Sequence, residues 1–338
     1  MIRTNFIVLG GGAWGLALAK LLCENGHGVC VWEYNPVYVE ILRSEHSNPN
    51  LLKDVILPSE IAFSNDLAEI LSSDFEYLIF AVPSQFLRNI ARSASPLLQK
   101  HANIKAIINV AKGIEEQSLK RTSEVLAEEL PPEMFPKTVC LSGPSHAEEV
   151  AKRIPTAVVI AGKDEKLLQS LQPLFSNEYF RTYRSSDLIG VEIGGAVKNV
   201  IAIAAGIIDG LEFGDNTKGA LLTRGLAEIR RLGTALGAKE ETFLGLSGVG
   251  DLFTTAVSKH SRNRYVGYEI GKGKTLPDIL SALPSVAEGV ASTRSVLELS
   301  RKVKVEMPIT QEVYSVLFNG KSPRQAIIEL MTRSLKSE

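Results

Sequence analysis

Phe6-Ile7-Val8-Leu9 runs without a break into Gly10-Gly11-Gly12-Ala13-Trp14-Gly15, and Leu16, Leu18, Ala19, Leu21 and Leu22 follow at helical spacing. A short apolar strand, a glycine turn and an amphipathic helix, in that order, form the context in which a dinucleotide pyrophosphate is held. Gly10 permits the tight turn, Gly12 lets the backbone approach the phosphates, and Gly15 lets the helix pack on the strand. The free amides at the helix N-terminus attract the phosphate charge.

Outward from that loop, further short β-rich runs appear at Val29 to Trp32, Tyr77 to Val82, Ile104 to Val110, Thr138 to Leu141 and Ala157 to Ile160. Continuous apolar strands separated by helical patterns predict a parallel sheet covered on both faces. The second strand ends Val31-Trp32-Glu33-Tyr34, which places Glu33 eighteen residues after Gly15. An acid there accepts hydrogen bonds from the adenosine ribose and favours NAD. A solvated Glu33, with Tyr34 or Arg43 at the adenosine end, is the competing reading, so NAD and NADP both stay open. Phe80-Ala81-Val82-Pro83-Ser84 closes another strand at the edge where such sheets bind ligands.

Near Ser186 the pattern changes. Asp187 to Leu211 is apolar on most sides, with Gly190, Gly194, Gly195 and Gly206 allowing close approach, and it predicts a central helix packed all round. Asn216 to Leu236, Glu288 to Val303 and Pro308 to Phe318 continue the helical pattern. We therefore expect a dinucleotide-binding domain over 1–186 and a helical substrate-binding domain over 187–338. Glu192, Lys198, Asn199 and Asp209 interrupt the apolar helix and argue against a membrane span. The short apolar run after Met1 argues against an export signal. A net charge of −1, from 37 basic and 38 acidic residues, gives no global attraction to nucleic acid or anionic membrane. Cys23, Cys30 and Cys140 lack CxxC spacing, which speaks against a disulfide framework and a metal site alike.

The chemistry-bearing residues lie at strand exits and on the central helix. Lys112 ends Asn109-Val110-Ala111-Lys112-Gly113, either as an exposed turn or pointing into the ligand crevice. Leu141-Ser142-Gly143-Pro144-Ser145-His146-Ala147 closes the next strand with a turn whose amides and hydroxyls can surround a small ligand. Lys198 sits among Val191, Ile193, Val197, Val200 and Ile201, so it must snorkel out or serve an internal site. Burial would lower its pKa and suit it to proton transfer. Asp251 follows a glycine turn, where it is either a helix cap or a partner for Lys198. Ser261-Arg262-Asn263-Arg264 opens a helix with a hydroxyl, a guanidinium and free amides, a combination that suits a phosphate monoester.

Taken in order, GGGAWG, AVPSQ, NVAKGI, LSGPSHAEEV, GGAVKNVIAIAAGI, GLSGVGDLFTT, SRNR and Val286-Ala287-Glu288-Gly289 resemble the bacterial-type NAD(P)-dependent glycerol-3-phosphate dehydrogenases over nearly the whole chain. The resemblance implies an α/β, Rossmann-like doubly wound sheet followed by an all-α domain like that of 6-phosphogluconate dehydrogenase. It also implies reversible NAD(P)H-dependent reduction of dihydroxyacetone phosphate, supplying glycerophospholipid synthesis. Lys198 becomes the proton donor, oriented with the substrate by Asn199, Asp251 and Thr255. Lys112, Gly143, Ser145, Asp251, Ser261, Arg262 and Asn263 match the positions that hold the triose phosphate. Ala13, Trp14, Tyr34, Lys112, Ala147, Arg262, Val286 and Glu288 match those for the cofactor. Ala13 departs from the family's frequent serine or threonine, which removes one hydroxyl from the pyrophosphate site. A cytoplasmic homodimer without nucleic-acid or membrane partners is the accompanying expectation. The rivals are a reductase of keto acids, which needs a carboxylate-gripping site, and a nucleotide sensor without catalysis.

Overall fold

In the computed structural model, which describes residues 4–99, 101, 103–335 and 337, an eight-stranded sheet is followed by a helical domain. Met1 to Arg3, the start of the N-terminal lead-in, lie outside the described residues. The strands are β1 (Asn5–Leu9), β2 (Gly28–Trp32), β3 (Ala62–Ser64), β4 (Tyr77–Phe80), β5 (Ala106–Asn109), β6 (Thr138–Ser142), β7 (Thr156–Ala161) and β8 (Phe180–Ser185). Their order in the sheet is β3-β2-β1-β4-β5-β6-β7-β8. β1 and β4 are neighbours although two strands separate them in sequence, so the connections on either side diverge there. That divergence opens a crevice at the carboxyl ends of the strands, next to the glycine loop.

Helices α1 (Ala13–Glu24), α2 (Pro36–Glu45), α3 (Leu67–Leu71), α4 (Leu87–Leu98), α5 (Thr122–Glu129), α6 (Ala147–Ala151) and α7 (Glu165–Phe175) belong to the sheet half. Two apolar clusters, one built around Phe6, Val8 and Leu18 and the other around Ile7, Phe80 and Leu87, occupy the two faces of the sheet. This is the double covering that the apolar strands require.

Two features differ from the sequence reading. β7 runs antiparallel to β6, so the sheet is only mostly parallel. The connection between them contains a single five-residue helix, α6. It climbs only about 7.5 Å, less than the length of roughly 17 Å that a five-residue strand spans. The chain therefore enters β7 from the edge it has just reached. β3 and β8 were also not anticipated. β3 has only three residues, and β8 alternates buried Phe180 and Thr182 with exposed Arg181 and Tyr183, as an edge strand does.

The helical half comprises α8 (Leu188–Gly210), α9 (Asp215–Ala235), α10 (Asp251–Val257), α11 (Arg262–Gly271), α12 (Leu276–Ala282), α13 (Glu288–Lys302), α14 (Pro308–Phe318) and α15 (Pro323–Met331). α8 is long and apolar enough to cross a bilayer by composition, with a mean hydropathy of 1.7 over its most apolar window, yet that whole window is buried in the protein. α9, α10, α11 and α13 surround it. α11 comes closest, because a β-carbon on Gly206 would overlap the Arg264 carbonyl and one on Gly267 the Ile203 carbonyl.

α8 also ties the halves together. Glu192, 6% exposed, accepts hydrogen bonds from Arg121 Nη1 (2.5 Å), Thr122 Oγ1 (2.6 Å), Ser123 N (2.7 Å) and Ser123 Oγ (2.8 Å) at the start of α5. The carboxylate thus neutralises Arg121 and occupies the amide-rich end of a helix. Removing one member of such a buried set strands the rest. Glu192→Ala is expected to lower unfolding free energy by about 3 kcal/mol, read as a lower urea midpoint. A midpoint within the error of the parent would show that the halves are joined by other means.

Candidate active site

The crevice collects side chains from both halves. Lys112, just beyond β5, donates from Nζ to Asp251 Oδ2 (2.8 Å) and to the Gly143 carbonyl (2.9 Å). It is therefore no exposed turn residue, its side chain being only 15% accessible. Lys198, on α8, turns inward and donates to Asp251 Oδ1 (2.8 Å) and Thr255 Oγ1 (2.6 Å). Asp251 is buried at the first turn of α10, behind a π-helical turn over Leu246–Gly250. That wide turn carries the carboxylate toward the lysines, so Asp251 is their shared anion and not a helix cap.

Electrostatics follow from that geometry. Burial pulls the Lys198 amine down, and although Asp251 pushes it back up, the like charge of Lys112 helps leave it at about 8. Burial pushes the Asp251 carboxyl up, but Lys112 and Lys198 outweigh that and hold it below the usual range. His146, at the entry to α6, is lowered to about 4 by burial and by Lys198, so its ring is neutral at pH 7. Its Nε2 lies 3.5 Å from the Thr254 carbonyl, an acceptor that requires the proton on that nitrogen. His146 was not singled out as a site residue in the sequence. The only hint was its place at a strand exit.

A second group lies beside the first. Glu288, at the start of α13, accepts from the Ser84 backbone N–H at the exit of β4 (2.7 Å) and from the Lys112 backbone N–H. Burial raises its carboxyl above the usual range despite these bonds and the nearby Arg262. Arg262 donates to Ser285 Oγ (2.8 Å) and to the Val286 carbonyl (3.2 Å) and remains exposed. Asn199 donates to the Lys112 carbonyl (3.2 Å), and its own oxygen accepts from Asn263 Nδ2 (2.9 Å). Asn263 Oδ1 in turn accepts from Gly289 N (2.9 Å). Ser261 caps α11, its Oγ accepting from Arg264 N (3.1 Å), and Ser145 Oγ donates to the Gly143 carbonyl (2.9 Å). Ser261 and Asn263 are thus engaged in shaping the turn, which leaves Arg262 as its outward-facing cation.

The glycine loop faces the same edge. Gly10 has φ +123°, and a β-carbon there would overlap the Ala81 carbonyl at the end of β4. A β-carbon on Gly15 would overlap the Gly10 carbonyl, whereas the space beside Gly12 is open. Among the described residues no side chain caps the N-terminus of α1, which leaves its amides suited to an anion. Among the described residues, nothing partners the buried indole N–H of Trp14. These features fit a pyrophosphate. Glu33 accepts from Gly11 N (3.0 Å) and Asn35 N (3.0 Å), which sets it beside the loop, while Tyr34 is exposed. Arg43 is turned to the Phe63 carbonyl and Glu40. Ala147 lies at the start of α6 behind the Gly143 turn.

Residues 5–168 match the NAD-dependent glycerol-3-phosphate dehydrogenase N-terminus, and residues 187–328 match the C-terminus of the same family. The chain belongs to the NAD-dependent glycerol-3-phosphate dehydrogenase family. It is 48% identical over 334 residues to a glycerol-3-phosphate dehydrogenase (NAD(P)+) of Syntrophotalea carbinolica, covering 99% of both chains. A protein of that description from Citrifermentans bemidjiense is 49% identical over 331 residues, covering 98% of both. The crystal structure of glycerol-3-phosphate dehydrogenase from Coxiella burnetii superposes with a TM-score of 0.92 at 35% identity, covering 98% of this chain and 99% of that one. The strand-order break and the amine-carboxylate cluster therefore sit on a dehydrogenase framework.

A separate cavity, about 1160 Å³, lies between α9, α14 and α15, and neither the lysines nor Asp251 line it. Two amines and a carboxylate meet instead at Asp251. In Asp251→Asn the anion that raises Lys198 is lost while Lys112 remains, so the Lys198 amine should titrate well below its parent value. The pH dependence of its labelling by an amine-reactive reagent, followed by mass spectrometry, measures this. An unchanged or higher titration would show that Asp251 does not set the lysine's charge.

Proposed function

We propose that the chain catalyses the reversible NAD(P)H-dependent reduction of dihydroxyacetone phosphate to sn-glycerol 3-phosphate, with Lys198 as the proton donor. The observation that carries this reading is the buried amine of Lys198, held by Asp251 and Thr255 at the edge of the crevice and depressed to about 8. An amine in that range can both give and take a proton near neutral pH.

The dinucleotide, gripped at the loop of Gly10, Gly12, Ala13, Trp14 and Gly15, supplies or accepts the hydride when bound. The chain supplies the rest. Lys198 Nζ delivers a proton to the oxygen on C2 of the ketone during reduction and takes it back during oxidation. Asp251 and Thr255 fix the direction of Nζ, and Asn199 fixes the Lys112 backbone from the same helix. Two lysines facing one carboxylate leave an excess of positive charge when both are protonated, which favours a phosphorylated, alkoxide-forming substrate. Arg262, exposed at the start of α11, takes the phosphate, with Ser261 and Asn263 shaping its turn and Gly143 and Ser145 lining the opposite side. Binding energy from that remote phosphate positions the carbonyl. Tyr34, Ala147, Val286 and Glu288 complete the cofactor side. The reading divides the chain at 1–186 and 187–338 and carries with it a cytoplasmic homodimer feeding glycerophospholipid synthesis.

Lys198→Ala is expected to lower kcat by about 10²- to 10⁴-fold with the fold intact. In the parent enzyme, reduction should decline as pH rises through about 8, because the donor is lost, and oxidation should rise over the same interval. Steady-state rates in both directions from pH 6 to 10 read this out, and a Lys198→Ala enzyme with parental kcat would rule out the assignment. Arg262→Ala should raise KM for dihydroxyacetone phosphate at least tenfold. A variant that instead weakens only NAD(P)H binding would move Arg262 to the cofactor side.

A further inference from the structure

The segment after Lys112 has no helix or strand of its own, yet side chains of the preceding crossover hold it. Gln85 lies in the single turn Ser84–Phe86 between β4 and α4. Its Nε2 donates to the Ile114 carbonyl (2.8 Å), and its Oε1 accepts from Glu116 N (3.0 Å). The amide therefore pairs with the backbone of 114–116 as a neighbouring strand would, using a donor and an acceptor at once. Three residues later, Arg88 holds Glu115 with two bonds, Nε to Oε1 and Nη2 to Oε2, both 2.8 Å. Ile114 between these grips is fully buried. On the strand side, Asn109 Nδ2 bonds the Ala111 carbonyl (3.2 Å) and Thr122 Oγ1 (2.9 Å).

Lys112 thus leaves a backbone held on both flanks, and from that position its ammonium reaches Asp251. Any retreat of the loop transfers Asp251 wholly to Lys198 and removes a like charge from it. Both changes raise the affinity of Lys198 for its proton.

We propose that Gln85 is a positioning residue for the reaction: by pairing with the backbone at Ile114 and Glu116 it holds Lys112 against Asp251. It thereby sets the proton affinity of Lys198. The proposal rests on Lys198 being the proton donor.

The test compares the parent enzyme with Gln85→Ala, Lys112→Ala and the double variant, using the pH dependence of kcat/KM for dihydroxyacetone phosphate reduction. Gln85→Ala should lower kcat/KM about tenfold at pH 7 and move the alkaline limb upward by at least half a pH unit. In the Lys112→Ala background the same substitution should change kcat/KM less than twofold and leave the limb in place. Gln85→Glu keeps the acceptor and loses the donor, so it should move the limb in the same direction while retaining the melting temperature. Hydrogen exchange at the Glu116 amide should accelerate in Gln85→Ala, a readout independent of turnover. An unmoved limb in both Gln85 variants, or equal losses with and without Lys112, would overturn the proposal. Unchanged exchange at Glu116 would do the same. If instead the alkaline limb of the parent survives Lys198→Ala, the proton-donor reading fails, while faster Glu116 exchange still reports the grip of Gln85 on the loop.

Discussion

One carboxylate, that of Asp251, is shared between an ammonium from the sheet half and an ammonium from the central helix. Each pair is worth on the order of 4–6 kcal/mol at an effective dielectric near 20, and each ion gives up several kcal/mol of hydration to reach the interior. With terms of that size, none of the three charges is tolerable there alone. Lys112 is the member from the other half, so the cluster is complete only when sheet and helical domain are docked. The charge state of the buried cluster is in this sense a product of domain docking.

The docking itself relies on polar side chains presented by the helical half to backbone groups of the sheet half. Glu192 takes the start of α5, Glu288 takes the backbone of Ser84, and the Asn199 amide reaches back to the carbonyl of Lys112. Each sits beside apolar packing that excludes water, where a satisfied bond is strong and an unsatisfied group is expensive. Close backbone contact at Gly206 and Gly267 lets α11 lie against α8, which brings the Ser261 to Asn263 turn within reach of Asn199 and Gly289. The cluster is therefore held by close-packed, hydrogen-bonded elements.

Charge is distributed accordingly. The sheet contributes a glycine loop with unused amides at the start of α1, suited to one anion. The helical half and the Lys112 loop contribute amines and a guanidinium suited to another. The switch in strand order between β1 and β4 opens the sheet edge at which the glycine loop ends.

Much of this was legible in the chain. Glycines after an apolar strand report their own backbone needs, and a helix that is apolar on most sides reports its burial, because both signals are local and period-bound. Lys198 stood out for the same reason, as a charge where the pattern allows none. β3 and β8 stayed hidden because a three-residue strand and an alternating edge strand carry little apolar signal. The reversal of β7 depended on how far a five-residue helix can carry the chain. The partnership of Lys112 with Asp251 joins residues 139 positions apart, and that of Glu288 with Ser84 spans 204. By itself, the sequence determined six of the eight strands, the central helix and the candidate site residues. Only the tertiary structure decided which charges meet, because a buried ion's partner is chosen by the distance left after packing and not by spacing along the chain.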